Sequence, residues 1–132
     1  MKIVLTGGSG YIGSVTTELL CDDGHEVTVF DNLERGHREA VDPRARLVAG
    51  DLREPGPIRD VMREVRPDAV VHFAAYALVG ESMEDPHLYF ENNMGGGLNL
   101  LAAMRDSGVK KIIFSSTCAT YGQPDVIPMT EE

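Results

Sequence analysis

Five short runs of apolar, largely β-branched residues punctuate the chain: Lys2–Thr6, Glu26–Phe30, Arg46–Ala49, Ala69–Phe73 and Lys111–Ser115. Most are continuous rather than alternating, as strands covered on both faces are. The stretches between them change to a helical period. Tyr11–Asp23 carries Ile12, Val15, Leu19 and Leu20, with Gly24 as a stop. Pro57–Val65 opens with proline and sets Ile58, Val61, Met62 and Val65 on one face. The longest pattern, Pro86–Ser107, ends at Gly108. Asn32 to Ala45 is polar and reads as a loop with one short helix, and Val79–Ser82 reads as a further loop. Strands alternating with helices predict right-handed βαβ units, hence an α/β doubly wound parallel sheet of order 3-2-1-4-5. There is no repeat and no linker, so residues 1–132 are expected to form one domain.

Gly95, Gly96 and Gly97 interrupt the longest helix, where each glycine costs up to about 1 kcal/mol relative to alanine. Close packing of that helix on a neighbour is the expected reason. The formal net charge of -9 argues against nucleic acid as a partner, since phosphate backbones require a basic footprint. The two cysteines, Cys21 and Cys118, have neither disulfide-framework nor metal-ligand spacing and are expected to be inert thiols, so no metal is expected. No apolar run reaches membrane-spanning length, and the first residues enter a strand without a secretory leader. A cytoplasmic location is the expectation.

The stretch Leu5–Ser14, LTGGSGYIGS, holds the most specific chemistry. Gly7, Gly10 and Gly13 follow a predicted strand and open a predicted helix. In that context Gly7 makes the tight turn, Gly10 lets backbone approach a pyrophosphate, and Gly13 lets the helix pack closely. The helix N-terminus adds free N–H groups and a positive dipole end. Asp31 ends the second strand, where its carboxylate can accept both hydroxyls of an adenosine ribose and repel a 2′-phosphate. No basic residue adjoins it, Arg35 being four positions on. The expected cofactor is therefore NAD rather than NADP. A flavodoxin-like or receiver domain does not carry this glycine fingerprint.

The order T-G-G-S-G-Y-I-G resembles the extended short-chain dehydrogenases/reductases, and other motifs fall where that family has them. The resemblance implies cofactor contacts from Gly7, Gly10, Tyr11, Ile12 and Gly13, and from Asp31, Asn32 and Leu33. It implies an adenine contact at Asp51, with Leu52, in the sequence Gly50–Leu52. It takes Phe73, Ala74, Ala75 and Tyr76 beneath the cofactor, and Asn92 and Asn93 from the following helix. It adds a cofactor contact from Ser115, which with Thr117 belongs to Phe114–Gly122 at the end of the fifth strand. Ala77 stands where members that epimerise sugars often have lysine, so one contact is missing. His72 reads as a satisfied core histidine.

Within the family, Asp31–Leu33, Val79–Ser82 and Ser115–Gly122 are most similar to enzymes that epimerise a UDP-hexose at C4. The implied chemistry is hydride transfer from C4 to NAD, rotation of the 4-ketose, and return of the hydride to its other face. Thr117 would hydrogen-bond the reacting sugar oxygen, with Val79 and Ser82 near the sugar. The family's base is the tyrosine of a Y-x-x-x-K motif, and no tyrosine of the 132 has lysine four positions on; Tyr121 has Asp125. The sequence therefore reads as the cofactor half of such an enzyme, without its sixth strand or substrate domain and inactive alone. Uncovered apolar surface would favour a homodimer. Two other readings stand beside this one. One is a nucleotide-sugar dehydratase or decarboxylase, disfavoured because Cys118 and Ala119 replace the acidic pair a dehydratase usually has. The other is a non-catalytic NAD-binding module. Glu131 and Glu132 read as a solvated end.

Overall fold

A computed structural model describes residues 1–117, 120, 122, 127 and 128. Cys118, Ala119, Tyr121, Asp125, Glu131 and Glu132 lie outside the described residues. Strands β1 (Lys2–Thr6), β2 (Glu26–Asp31), β3 (Arg46–Ala49), β4 (Ala69–His72) and β5 (Ile112–Phe114) form one parallel sheet in the order β3-β2-β1-β4-β5. Leu5 pairs with Val29 on one side and Val71 on the other, so β1 is central, and its residues from Ile3 to Thr6 are buried. β5 is shorter than its apolar run and exposed along its length.

Helix α1 (Tyr11–Asp22) connects β1 to β2, and α2 (Pro55–Val65) connects β3 to β4. The predicted short helix after β2 is a single 3₁₀ turn at Arg38–Ala40. Val79 and Ser82, expected in a loop, instead lie in a short helix, α3 (Val79–Glu84). The long helix predicted from Pro86 is three consecutive pieces. These are α4 (Pro86–Tyr89), a π-helical segment (Phe90–Gly95) and α5 (Gly96–Ser107). Gly108, at φ 76°, ends α5 as the sequence indicated.

The core is two clusters, one on each face of the sheet. On one face Ile58, Met62 and Val65 of α2 meet Leu100 and Met104 of α5 over Val4, Phe30 and Val70. On the other, Ile3, Leu5, Val27, Val29 and Val71 lie under Leu20 and Cys21 of α1. An amphipathic helix ordinarily turns its apolar stripe inward; α1 does not. Gly13 and Thr17 are its buried residues, while Ile12, Val15 and Leu19 are exposed. A Cβ on Gly13 would stand 2.1 Å from the Gly7 carbonyl oxygen. That approach fixes the rotation of α1 and leaves Ile12, Val15 and Leu19 outside.

The glycine triplet divides in the same way. Gly96 is buried, and a Cβ there would lie 3.0 Å from the Leu52 Cβ; a Cβ on Gly97 or Gly95 would meet nothing within 4 Å. Close packing therefore accounts for Gly96 alone.

Candidate functional site

The C-terminal ends of β1 to β4 open into one cleft, at the point where the strand order reverses. Open α/β sheets bind ligands at such a crevice. Among the predicted cofactor residues it brings together Gly7, Gly10, Asp31, Asn32, Asp51, Leu52, Phe73, Ala74, Ala75, Tyr76 and Asn92. Arg35, Gly36 and Gly50 also line it, and sequence reasoning did not assign them.

The glycine loop is wedged between elements. Gly7 sits at φ 77°, its N–H donates to the Phe30 carbonyl at 3.0 Å, and a Cβ would lie 2.5 Å from the Ala74 nitrogen. Gly10 differs: the nearest atom to a Cβ there would be the Gly7 oxygen at 3.6 Å. Its missing side chain therefore leaves cleft space rather than packing space. Gly10 is also the N-cap of α1; no side chain caps that helix, and its first turn has no acidic residue. Its positive end is left for an anion.

Asp31 is buried, with Oδ2 accepting from the Ser9 N–H at 3.0 Å and Oδ1 from the Leu33 N–H at 2.8 Å. These bonds lock its rotamer. Each carboxylate oxygen still has a lone pair for a ligand hydroxyl. A cradle of glycine backbone, an uncapped helix end and a fixed carboxylate suit a dinucleotide with an unphosphorylated ribose.

A ring of charged and polar side chains closes the far side. Asn32 Nδ2 donates to Asp51 Oδ2 at 3.1 Å, and the Arg53 side chain donates to both Asp51 oxygens. The Arg53 guanidinium holds the Asp51 pKa down to about 2. Arg53 also pairs with Glu34 at 2.6 Å, and Glu34 accepts from the Tyr76 hydroxyl, which lowers its pKa. The Arg35 guanidinium lies over the Tyr76 ring, 3.9 Å from its centroid, and pairs with Glu81 of α3 at 2.5 Å. Tyr89 donates to the same Glu81 carboxylate and meets Tyr76 edge-on.

The remaining predicted residues lie around this cleft rather than in its lining. Tyr11 and Ile12 are exposed on the first turn of α1, with Gly13 buried behind them. Leu33, two residues after Asp31, sits at φ 61°. Asn93 braces the strand end: its Oδ1 accepts from the Tyr76 N–H at 2.8 Å and its Nδ2 donates to the Tyr76 carbonyl at 3.0 Å. The Ser115 N–H donates to the His72 carbonyl at 3.1 Å, just past β5. Val79 is exposed, and the Ser82 hydroxyl donates to the Val79 carbonyl at 2.7 Å within α3. Thr117 is exposed, and its carbonyl accepts from the Thr120 N–H at 3.2 Å. His72 is buried against Thr6, Nδ1 to Oγ1 2.6 Å, and burial lowers its pKa.

Residues 3–132 match the model of the NAD dependent epimerase/dehydratase family. The chain belongs to that family.

Among its family relatives, the UDP-glucose 4-epimerase of Lacticaseibacillus casei is 52% identical over 131 residues, which are 99% of this chain and 40% of that protein. A crystal structure of the Thermus thermophilus UDP-glucose 4-epimerase in complex with NAD superposes at a TM-score of 0.86. It is 48% identical and covers 89% of this chain and 38% of its own. The Bifidobacterium longum UDP-glucose 4-epimerase in complex with NAD+ and UDP gives 0.88, at 36% identity, covering 100% of this chain and 42% of its own. The chain thus spans about 40% of the length of the curated relatives it matches. Among the described residues no helix is long and apolar enough to cross a membrane.

Proposed function

We propose that this chain is the NAD-binding part of a UDP-glucose 4-epimerase. The observation that carries the reading is the fixed Asp31 carboxylate beside a glycine loop whose open position, Gly10, faces the cleft. Asp31 would take the adenosine ribose, Asp51 and Leu52 would flank the adenine, and the end of α1 would take the diphosphate. When bound, NAD supplies the hydride acceptor and donor for a sugar carbon. Ala74 to Tyr76 form the floor, held in place by Asn93 and by the Gly7 contact. Thr117, three residues past β5, would offer its hydroxyl to the reacting oxygen of a UDP-hexose. Similarity to 4-epimerases over the whole chain supports that substrate class over dehydration or decarboxylation.

The 132 residues contain no Y-x-x-x-K pair, so these residues by themselves are expected to bind NAD without turning over sugar. Calorimetric titration with NAD and NADP tests the reading. NAD should bind more tightly than NADP, and Asp31→Asn should weaken NAD by about tenfold or more, the worth of a hydrogen bond to a charged group. Folded protein that binds neither dinucleotide would remove the reading.

A further inference from the structure

Arg35 is a cation in the lining of the cleft, in a chain of net charge -9. Its position is built, not incidental. The next residue, Gly36, packs against Ser9 of the glycine loop so closely that a Cβ would stand 1.8 Å from the Ser9 Oγ. The His37 N–H donates to the Ser9 carbonyl at 2.9 Å. The loop after β2 is thereby registered on the glycine loop.

From that anchor the Arg35 side chain reaches the Tyr76 ring beyond β4. Since β1 lies between β2 and β4, a side chain that reaches from the loop after β2 to Tyr76 crosses the cleft that Gly7 and Gly10 also line. That is where a dinucleotide draped over Gly10 would carry its diphosphate. A guanidinium has five donors in a planar fork, so an arginine that holds one carboxylate, here Glu81, retains capacity for phosphate oxygens.

We propose that Arg35 is a cofactor-positioning residue that binds the diphosphate of the dinucleotide, with Tyr76 as its platform and Glu81 as its anchor. The proposal rests on the reading that the cleft takes NAD. It makes the diphosphate site bipartite: backbone amides at the end of α1, and a side-chain cation.

The test is a set of NMR or calorimetric titrations of the 132-residue chain with NAD, ADP and adenosine, in wild type, Arg35→Gln and Arg35→Lys. The expected result is that Arg35→Gln weakens NAD and ADP by about tenfold to a hundredfold. Adenosine, which has no phosphate, should change less than about twofold. Arg35→Lys should recover part of the loss, since it restores charge without the fork. An equal loss for ADP and adenosine would make Arg35 a merely structural residue and overturn the proposal. Unchanged ADP and NAD affinity in Arg35→Gln would overturn it too, leaving the NAD reading intact. Absence of NAD binding to folded wild type would overturn both.

Discussion

Gly7, Gly10 and Gly13 share one motif, yet alanine at the three should fail in different ways. At Gly7 and Gly13 a Cβ would collide with backbone, 2.5 Å from the Ala74 nitrogen and 2.1 Å from the Gly7 oxygen. Overpacking of this kind costs about 1–3 kcal/mol, so both variants should show a lowered thermal midpoint. At Gly10 a Cβ would meet only the Gly7 oxygen, at an ordinary contact distance of 3.6 Å. Gly10→Ala should keep its midpoint and lose NAD affinity, measured side by side by scanning calorimetry and titration. The motif was legible from spacing alone. Spacing in context also assigned ligand approach to Gly10 and close packing to Gly13; that Gly7 packs too was not legible, because it depends on Ala74, which is distant in sequence. Arg35 was read only as standing four positions beyond Asp31; that it lines the cleft depends on the loop after β2 seating Gly36 on Ser9, a contact between residues distant in sequence. The buried Thr6–His72 pair gives a second prediction at this scale. Burial lowers the folded His72 pKa, so its neutral form favours folding. That stability is full above the unfolded value of about 6.5 and is lost as pH falls through the lower folded value. The urea midpoint should drop on acidification, and less so in a Thr6→Val, His72→Leu double variant, which removes both partners.

Whole elements were easier to read than their orientation. Continuous apolar runs located all five strands, and the βαβ alternation fixed their order, because right-handed crossovers leave few alternatives. The inward face of α1 was not readable from hydrophobicity, since a backbone contact at Gly13 decides it. The long helix was legible as a helix, but its π segment was not, as no composition marks a local change in hydrogen-bond spacing. The glycine triplet now makes opposite predictions within one element. Gly97→Ala should stabilise by up to about 1 kcal/mol through helix propensity, because its Cβ would meet nothing. Gly96→Ala should destabilise, because Leu52 would have to yield from 3.0 Å. Urea denaturation of the two single variants checks both signs.

At the scale of the molecule, the two faces of the sheet each end in an exposed apolar stripe. Ile12, Val15 and Leu19 run along α1, while Phe90, Met94, Leu98 and Leu101 follow a helical spacing across the π segment and α5. The second stripe is the longer, and each of its four side chains is at least half exposed, from 51% at Leu101 to 66% at Phe90. Contiguous apolar patches on soluble proteins usually mark contact surfaces, and a stripe on one helix suits isologous pairing with a second copy. A net charge of -9 opposes that approach, and salt screens the repulsion. Self-association is therefore expected to rise with both protein concentration and ionic strength, read as an increasing weight-average mass in sedimentation. Leu98→Lys with Leu101→Lys should hold the chain monomeric. Neither residue lines the cofactor cleft, so NAD affinity should be unchanged in that variant. A mass that stays at one chain across the whole range would show that the stripe does not pair with a second copy.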